Sequence, residues 1–277
     1  DLSRVCTFEG YMQNEYDDRK ILEADLKLAV SQMMIKVVYQ AQVDIRSVEL
    51  TGMEALARWV HPVRGNIPPN IFIPIAEDLG IIRELGRLIL MEACAEATKW
   101  IRPLKISVNI SSIQLRSPDM LEIVQEVLTR TGLSPDRLEL EITESVLLSN
   151  QDDVLTAIGQ LRSMGVKIAM DDFGTGYSSL AVLRRIPFDI IKVDKAFIRD
   201  IATDQEALAL LKLVIDIGNL LDKKVVVEGI ETSVQHRIIR ELGDVTGQGF
   251  LFGQPMSTID LHRHDEDAWK VTPRERT

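Results

Sequence analysis

The feature that most constrains the fold of this chain is a regular alternation of short strand-like runs with amphipathic helical segments. The strand-like runs are rich in β-branched or alternating apolar residues and lie at 37–44, 52–59, 105–110, 138–143, 167–172, 189–194, 224–230 and, more weakly, 247–253. Between them, apolar residues recur every three or four positions, as in Val154, Ile158 and Leu161. This alternation predicts an α/β fold, a (β/α)8 TIM-type barrel, with an open doubly wound sheet as the alternative.

Capping residues mark several of the predicted helix boundaries. We predict helix starts at Ser117–Pro118, at Thr203 with Glu206, and at Thr232 with Gln235. Helix ends are predicted at Gly132 and Gly165. Around these elements we expect a connector over residues 1–19, one barrel domain over 20–257 and a polar tail over 258–277.

Composition excludes several classes of protein. The net charge of −10 argues against binding of a nucleic acid polymer, which needs a basic surface. Apolar runs stay shorter than the ~18 residues of a membrane span, so this segment is expected to make no membrane contact. That expectation leaves open a membrane anchor elsewhere in a longer protein. Cys6 and Cys94 fit neither a metal-binding spacing nor a disulfide framework, so a reducing cytoplasm is the expected location.

Polar residues end almost every predicted strand. They are Glu54, Asn109, Glu141, Asp171 with Asp172, Lys192, Glu228 and Gln248. The carboxyl ends of barrel strands meet at one face, where barrel enzymes carry their active sites. These side chains are therefore expected to converge at one mouth.

Converging carboxylates have three explanations. They can form a solvated rim with structural salt bridges, or a metal-free acid and base pair, although such a pair needs only two carboxylates. Five carboxylates and an amide with no nearby His or Cys instead suit Mg²⁺ or Mn²⁺. Two such ions would offset the repulsion between the adjacent carboxylates of Asp171 and Asp172. Since like charges repel, removal of Glu54 is expected to leave the metal-free protein at least as stable.

The strand ends also carry a set of motifs that resembles a known family. The motifs are GMEALARW (52–59), VNISS (108–112), LEITES (140–145), MDDFGTGYSSL (170–180), IKVD (191–194), VEGIE (227–231) and QGFLFG (248–253). In this order they resemble the EAL family of cyclic di-GMP phosphodiesterases. The resemblance implies a (β/α)8 barrel whose first strand runs antiparallel to the others. It also implies hydrolysis of the bacterial second messenger cyclic di-GMP to linear pGpG with Mg²⁺ or Mn²⁺, and inhibition by Ca²⁺.

The resemblance assigns a role to each matching residue. The implied ligands of one metal ion are Glu54, Asn109, Glu141 and Asp171, and those of a second are Asp171, Asp172 and Glu228. Glu54 thereby also belongs to the catalytic set, with Lys192 and Glu228. Lys192 matches the residue that orients and activates the attacking water, and its place among carboxylates favours a positioning role over that of a base. Glu228 is the alternative base, and the sequence does not decide between the two.

Other matches concern the ligand and a loop. Gln40, Arg58 and Gln248 match positions that contact the ligand or its water. Glu144 matches the anchor of a mobile loop over 172–180 that is coupled to a dimer interface. Several residues depart from the usual pattern, namely Ala41, Gln42, Asp244 with Val245, and Gln254, and they bear on affinity more than on chemistry.

Two functions remain open from the sequence. One is an active phosphodiesterase, and the other is a weak or inactive cyclic di-GMP receptor or regulatory module. Retention of every expected metal ligand favours the enzyme. We also expect a homodimer. The segment RVCTFEGYMQN (4–14) resembles a connector that follows a diguanylate cyclase (GGDEF) domain, which indicates an upstream sensory or GGDEF domain in a longer protein.

Overall fold

The strands form one sheet that closes on itself in a computed structural model that describes residues 10–148, 152–174 and 183–263. They are β1 (Ile35–Asp44), β2 (Leu50–His61), β3 (Gly65–Ile67), β4 (Lys105–Asn109), β5 (Leu138–Thr143), β6 (Lys167–Phe173), β7 (Ile190–Val193), β8 (Lys224–Val227), β9 (Thr246–Gln248) and β10 (Met256–Ser257). Strand β2 and strands β4 to β9 pair in parallel, whereas β1 runs antiparallel to β9 and also pairs with β2. The barrel with an antiparallel first strand is confirmed. An open sheet is excluded, because β1 has neighbours on both edges.

Helices connect the strands as the alternation predicts. They are α1 (Gly10–Ser31), α2 (Pro69–Asp78), α3 (Ile82–Ala97), α4 (Ser112–Leu115), α5 (Met120–Thr131), α6 (Glu144–Leu148), α7 (Asp152–Ser163), α8 (Gln205–Leu220), α9 (Ser233–Leu242) and α10 (Thr258–Arg263). Among the described helices, none combines the length and the apolar character that a bilayer crossing requires. Cys94 is a buried free thiol, and Cys6 lies outside the described residues.

Two of the predicted helix starts are wrong. Helix α5 begins after Asp119, and the Ser117 hydroxyl donates to the Asp119 carboxylate instead of capping the helix. Helix α8 begins after Asp204, whose side chain accepts the N–H of Glu206. In both cases an aspartate one or two residues downstream is the N-cap residue, but the side chain caps the helix at Asp204 and not at Asp119.

The remaining helix-boundary predictions are confirmed. Thr232 and Gln235 form the capping box of α9. Gly132 ends α5 with φ of 73°, and Gly165 follows α7 with φ of 95°, a conformation that glycine adopts without strain.

The described residues divide into two compact units. The first combines residues up to 36 with 57–85. Within it, Nε2 of His61 lies 3.0 Å from Asp25 of α1, while Nδ1 of His61 accepts the N–H groups of Val63 and Arg64. Because backbone N–H groups only donate, the ring proton of His61 is on Nε2 and points to Asp25.

The second unit combines residues 37–56 with residues from 86 onward and contains the closed part of the barrel. Its large apolar core includes strand residues such as Ile106, Leu140 and Ile168 together with helix residues such as Ile158 and Leu211. A separate apolar cluster consists of Ala169, Ile190 and Val226. In the register of the sheet these three residues share a face with Glu141, Lys192 and Lys224.

Candidate active site

Lys192 lies at the centre of the candidate site. It is the third residue of β7 and is 2 % exposed, and its Nζ lies 2.6 Å from Oε2 of Glu141 and 2.6 Å from Oε1 of Glu228. The same nitrogen lies 3.2 Å from Oδ1 of Asp171 and 3.7 Å from Oε1 of Glu54. The four carboxylates come from different strands or strand ends and still meet at one nitrogen. All five side chains therefore point into the barrel.

A bulge separates the adjacent carboxylates of Asp171 and Asp172. The register between β6 and β7 shifts between Met170 and Phe173, and Asp172 has a left-handed backbone with φ of 56°. Such a conformation is uncommon outside glycine and is best tolerated by Asn and Asp. It allows Asp171 to reach Lys192 without forcing both carboxylates to the same point.

Glu54 belongs to a second network, made of amides. Nδ2 of Asn109 donates to Oε1 of Glu54 at 2.8 Å, and Nε2 of Gln248 donates to Oε2 of Glu54. Nε2 of Gln248 also donates to Oε1 of Gln40 at 3.2 Å. The antiparallel direction of β1 brings Gln40 to the same mouth as the ends of the parallel strands.

The surroundings shift the pKa values of Glu54 and Glu141 in opposite directions. Burial opposes ionisation of Glu54, but Lys192 and the hydrogen bonds from Gln248 and Asn109 outweigh it and lower its pKa. Burial and the negative charge of Glu54 raise the pKa of Glu141 well above its ordinary value, against the attraction of Lys192. Glu54 is therefore the carboxylate that this network holds ionised.

Three more groups in the cluster are shifted. Burial raises the pKa of Glu228 to about 7, although Lys192 opposes the shift. Burial disfavours the ammonium of Lys192, but the four surrounding carboxylates outweigh it and raise its pKa well above the ordinary value. Burial and the negative charge of Asp171 raise the pKa of Asp172. One cation thus neutralises only part of the negative charge in this cluster.

Residues 23–255 match the family model described as the EAL domain. The chain belongs to the EAL domain family. An uncharacterized signaling protein of Caulobacter vibrioides is 42% identical over 98% of this chain and 34% of its own length. The bifunctional diguanylate cyclase/cyclic di-GMP phosphodiesterase MucR of Pseudomonas aeruginosa is 38% identical over 92% of this chain and 38% of its own. This EAL domain therefore spans about a third of the length of these relatives.

A solved structure supports the same assignment. The PaMucR phosphodiesterase in complex with c-di-GMP has a TM-score of 0.83 and 38% identity to this EAL domain, covering 87% of this chain and 99% of that chain. The (β/α)8 fold and the family resemblance inferred from the motifs are thereby confirmed.

Two further residues of the EAL domain that were assigned from the sequence make hydrogen bonds with backbone groups. Arg58 lies on β2, four residues beyond Glu54, and its Nη1 donates to the carbonyl of Ala57 at 2.9 Å. Glu144 begins α6, is 1% exposed, and accepts the N–H of Gly174 at 2.7 Å. This contact holds the start of the predicted loop, while residues 175–182 lie outside the described residues.

The donor chemistry of the EAL domain site fits hard divalent cations. Glu141 Oε1 is buried and makes no hydrogen bond with the described residues, whereas the buried Asp171 Oδ1 and Glu228 Oε1 face the ammonium of Lys192 at 3.2 Å and 2.6 Å. Clustered carboxylate oxygens beside an amide are the donors that Mg²⁺ and Mn²⁺ prefer. Within the described residues, no three carboxylate, imidazole or thiol groups are arranged to hold a metal as they stand, since Lys192 lies between the carboxylates.

Sequence reasoning missed one participant in the EAL domain site. Gln42 is buried, and its Nε2 donates to Oε1 of Gln248 at 3.0 Å. The sequence contained a signal for it, because Gln40 and Gln42 are two residues apart on one strand and must face the same side.

Proposed function

We propose that this EAL domain is a phosphodiesterase that hydrolyses cyclic di-GMP to linear pGpG with divalent metal ions. The observation that carries the proposal is the convergence of four carboxylates on the buried ammonium of Lys192 at the mouth of the barrel. A structural rim of salt bridges would be solvated, whereas Lys192 and Glu141 are almost completely buried. The c-di-GMP complex of the related PaMucR phosphodiesterase supports the choice of substrate.

In this proposal the carboxylates hold Mg²⁺ or Mn²⁺. The residues that would hold one ion are Glu54, Asn109, Glu141 and Asp171, and those for a second are Asp171, Asp172 and Glu228. When bound, such ions polarise a phosphodiester and activate water for in-line displacement. The charge that Lys192 leaves uncompensated in the cluster supports cation binding at this place.

Lys192 and Glu228 have different proposed tasks. Lys192 stays protonated among the carboxylates, so it donates hydrogen bonds, orients the attacking water and stabilises negative charge on the phosphoryl oxygens. Glu228, whose carboxylate lies beside Lys192, would accept the proton that this water loses. Attack of the water oxygen on phosphorus breaks the P–O3′ bond, and the leaving oxygen takes up a proton to give the 3′-hydroxyl of pGpG.

Gln40, Gln248 and Arg58 are proposed to orient the substrate. The amides of Gln40 and Gln248 are joined by a hydrogen bond, which limits their motion before the ligand arrives. The guanidinium of Arg58 suits recognition of a phosphate oxygen.

Incubation with cyclic di-GMP and Mg²⁺, followed by chromatographic detection of pGpG, tests the function. We expect cleavage with Mg²⁺ or Mn²⁺, none in excess chelator, and suppression by Ca²⁺, whose larger radius and looser geometry place the reacting groups poorly. Undiminished cleavage in chelator would overturn the metal requirement. Tight binding of cyclic di-GMP without any cleavage would instead identify a receptor.

Two proposals concern assembly. The relative MucR is named as a bifunctional diguanylate cyclase/cyclic di-GMP phosphodiesterase, and this chain covers 38% of it, which supports an origin in a longer signalling protein with an upstream sensory or GGDEF domain. We also propose a homodimer in the cytoplasm, and light scattering at several concentrations tests the oligomeric state.

A further inference from the structure

Gln42 connects the wall of the barrel to the candidate site. It lies on β1 directly opposite Gln248 of β9 in the sheet register and is 3% exposed. Its Nε2 donates to Oε1 of Gln248 at 3.0 Å. The buried amide of Gln42 therefore donates to an acceptor that belongs to the site.

This contact determines which end of the Gln248 amide meets Glu54. Since Oε1 of Gln248 accepts from Gln42, the NH₂ group of Gln248 is turned toward Oε2 of Glu54 and Oε1 of Gln40. A rotated amide would place its oxygen against the Glu54 carboxylate, and two acceptors that face each other in a buried site repel. It would also leave the Nε2 donor of Gln42 facing an NH₂ group.

The neighbouring strand is built to accommodate Gln42. A Cβ atom at Gly52 of β2 would lie 3.1 Å from Oε1 of Gln42 and 3.1 Å from the carbonyl oxygen of Lys105. Both distances are tighter than ordinary van der Waals contact. A side chain at position 52 would push Gln42 away from β2, so glycine leaves room for the amide there.

We propose that Gln42 is a positioning residue that holds Gln248 in the orientation that donates to Glu54. The inference rests on the proposed function, in which Glu54 holds a metal ion and Gln248 contacts the substrate or its water. Gln42 touches neither and acts through Gln248. Gln248 orients the proposed metal ligand Glu54, and loss of a group in that position commonly costs 10- to 100-fold in affinity or rate, so loss of Gln42, one contact further away, should cost about tenfold.

The first test needs no activity. Gln42→Met removes the donor while it keeps a similar length of side chain. In ¹⁵N-edited spectra of the metal-free protein, the Gln248 side-chain amide, assigned by its loss in Gln248→Met, should show slow hydrogen exchange. In Gln42→Met its exchange should be at least about tenfold faster. Gln42→Leu, which also lacks a hydrogen-bond donor, should show the same change. Unchanged protection in both variants would overturn the proposal.

The second test measures Mn²⁺ affinity by calorimetry and steady-state hydrolysis of cyclic di-GMP. We expect Gln42→Met to lower kcat or Mn²⁺ affinity by about tenfold, with a thermal midpoint close to that of the wild type. In the Gln248→Met background the same change should have no further effect, because coupled residues are not additive. An equal loss in both backgrounds would show that Gln42 does not act through Gln248 and would contradict the proposal.

Ser107→Ala is the matched control. Ser107 is another buried polar residue of a barrel strand, and its hydroxyl donates to Glu139 at 3.1 Å, outside the amide network. It should leave Gln248 exchange and kcat unchanged, and a loss equal to that of Gln42→Met would contradict a specific role for Gln42. If the wild type cleaves no cyclic di-GMP, the proposed function fails while amide exchange still decides the positioning role.

Discussion

The ammonium of Lys192 lies 2.6 Å from a carboxylate oxygen of Glu228, the residue that directly follows β8. The pKa of Glu228 is nevertheless raised to about 7, because burial outweighs this attraction. Lys192 is shared among four carboxylates and does not neutralise any one of them fully. The metal-free site therefore stores electrostatic repulsion that a divalent cation would relieve.

Lys192→Met should separate catalysis from metal binding. The substitution keeps the length of the stem and removes the cation, so Mn²⁺ and cyclic di-GMP should still bind. Hydrolysis should fall by about 10²-fold or more, the scale of one preorganised electrostatic contact. Asp171→Asn should instead weaken Mn²⁺ binding, which Mn²⁺ titration of the hydrolysis rate measures. Near-normal turnover of Lys192→Met, or a loss of metal affinity as large as that of Asp171→Asn, would contradict the assigned role.

Glu54→Gln and Glu141→Gln should change the metal-free protein in opposite directions. From charge crowding alone, Glu54 was expected to be removable without loss of stability in the metal-free protein. In the structure Glu141 is the better candidate for such a removal, because its pKa is raised well above the ordinary value. Glu54 is held ionised by Asn109, Gln248 and Lys192, so Glu54→Gln should lower stability by about 1–3 kcal/mol. Glu141→Gln should hold or raise stability. Urea denaturation in chelator at pH 7 compares them, and the reverse order would refute this assignment.

The metal-free protein should lose stability as the pH rises from 4.5 to about 7. The folded state binds the Glu228 proton more tightly than the unfolded chain does, because the pKa rises from 4.5 to about 7. This contribution is fully present below pH 4.5 and is lost as the pH rises through 7. At about 1.4 kcal/mol per pK unit it amounts to at most about 3 kcal/mol. Denaturation in chelator across this range, with Glu228→Gln as the control, should show a smaller slope in the variant.

Two helical glycines should respond in opposite ways to alanine. A Cβ at Gly86 of α3 would lie 1.8 Å from Nε2 of Gln114, whose carbonyl oxygen caps α4 by accepting the N–H of Ser111. Gly86→Ala should therefore cost about 1 kcal/mol despite its better helix propensity. Gly159 of α7 is exposed and has open space around it, so Gly159→Ala should stabilise by about 0.5–1 kcal/mol. Thermal midpoints of both variants provide the measurement. Equal shifts would show that the contact with Gln114 does not destabilise Gly86→Ala.

The barrel and its polar mouth were predictable because both depend on local periodicity. Strand-end residues such as Asn109 and Glu141 face the same mouth as soon as the strands are parallel and in register. The N-cap of α8 was not predictable, since Thr203 and Asp204 are adjacent and both are good caps. The sequence predicted Lys192 among the carboxylates but not its contacts with Glu141 and Glu228 at 2.6 Å, because these depend on side-chain lengths across the barrel. Gln42 was read as a departure from a family pattern, and only its partner on β9 reveals its task.

The barrel strands pack on the helices with one face and carry the charged groups of the site on the other, and this separation affects how such domains evolve. The large apolar core lies between strands and helices, whereas the Ala169, Ile190 and Val226 cluster adds little apolar area among the charged groups on the inner face. Substitutions on the inner face can therefore abolish the chemistry while the packing that folds the chain remains intact. A descendant of this domain could drift from the proposed hydrolysis to ligand sensing by a few inward-facing changes, with no need to redesign its scaffold.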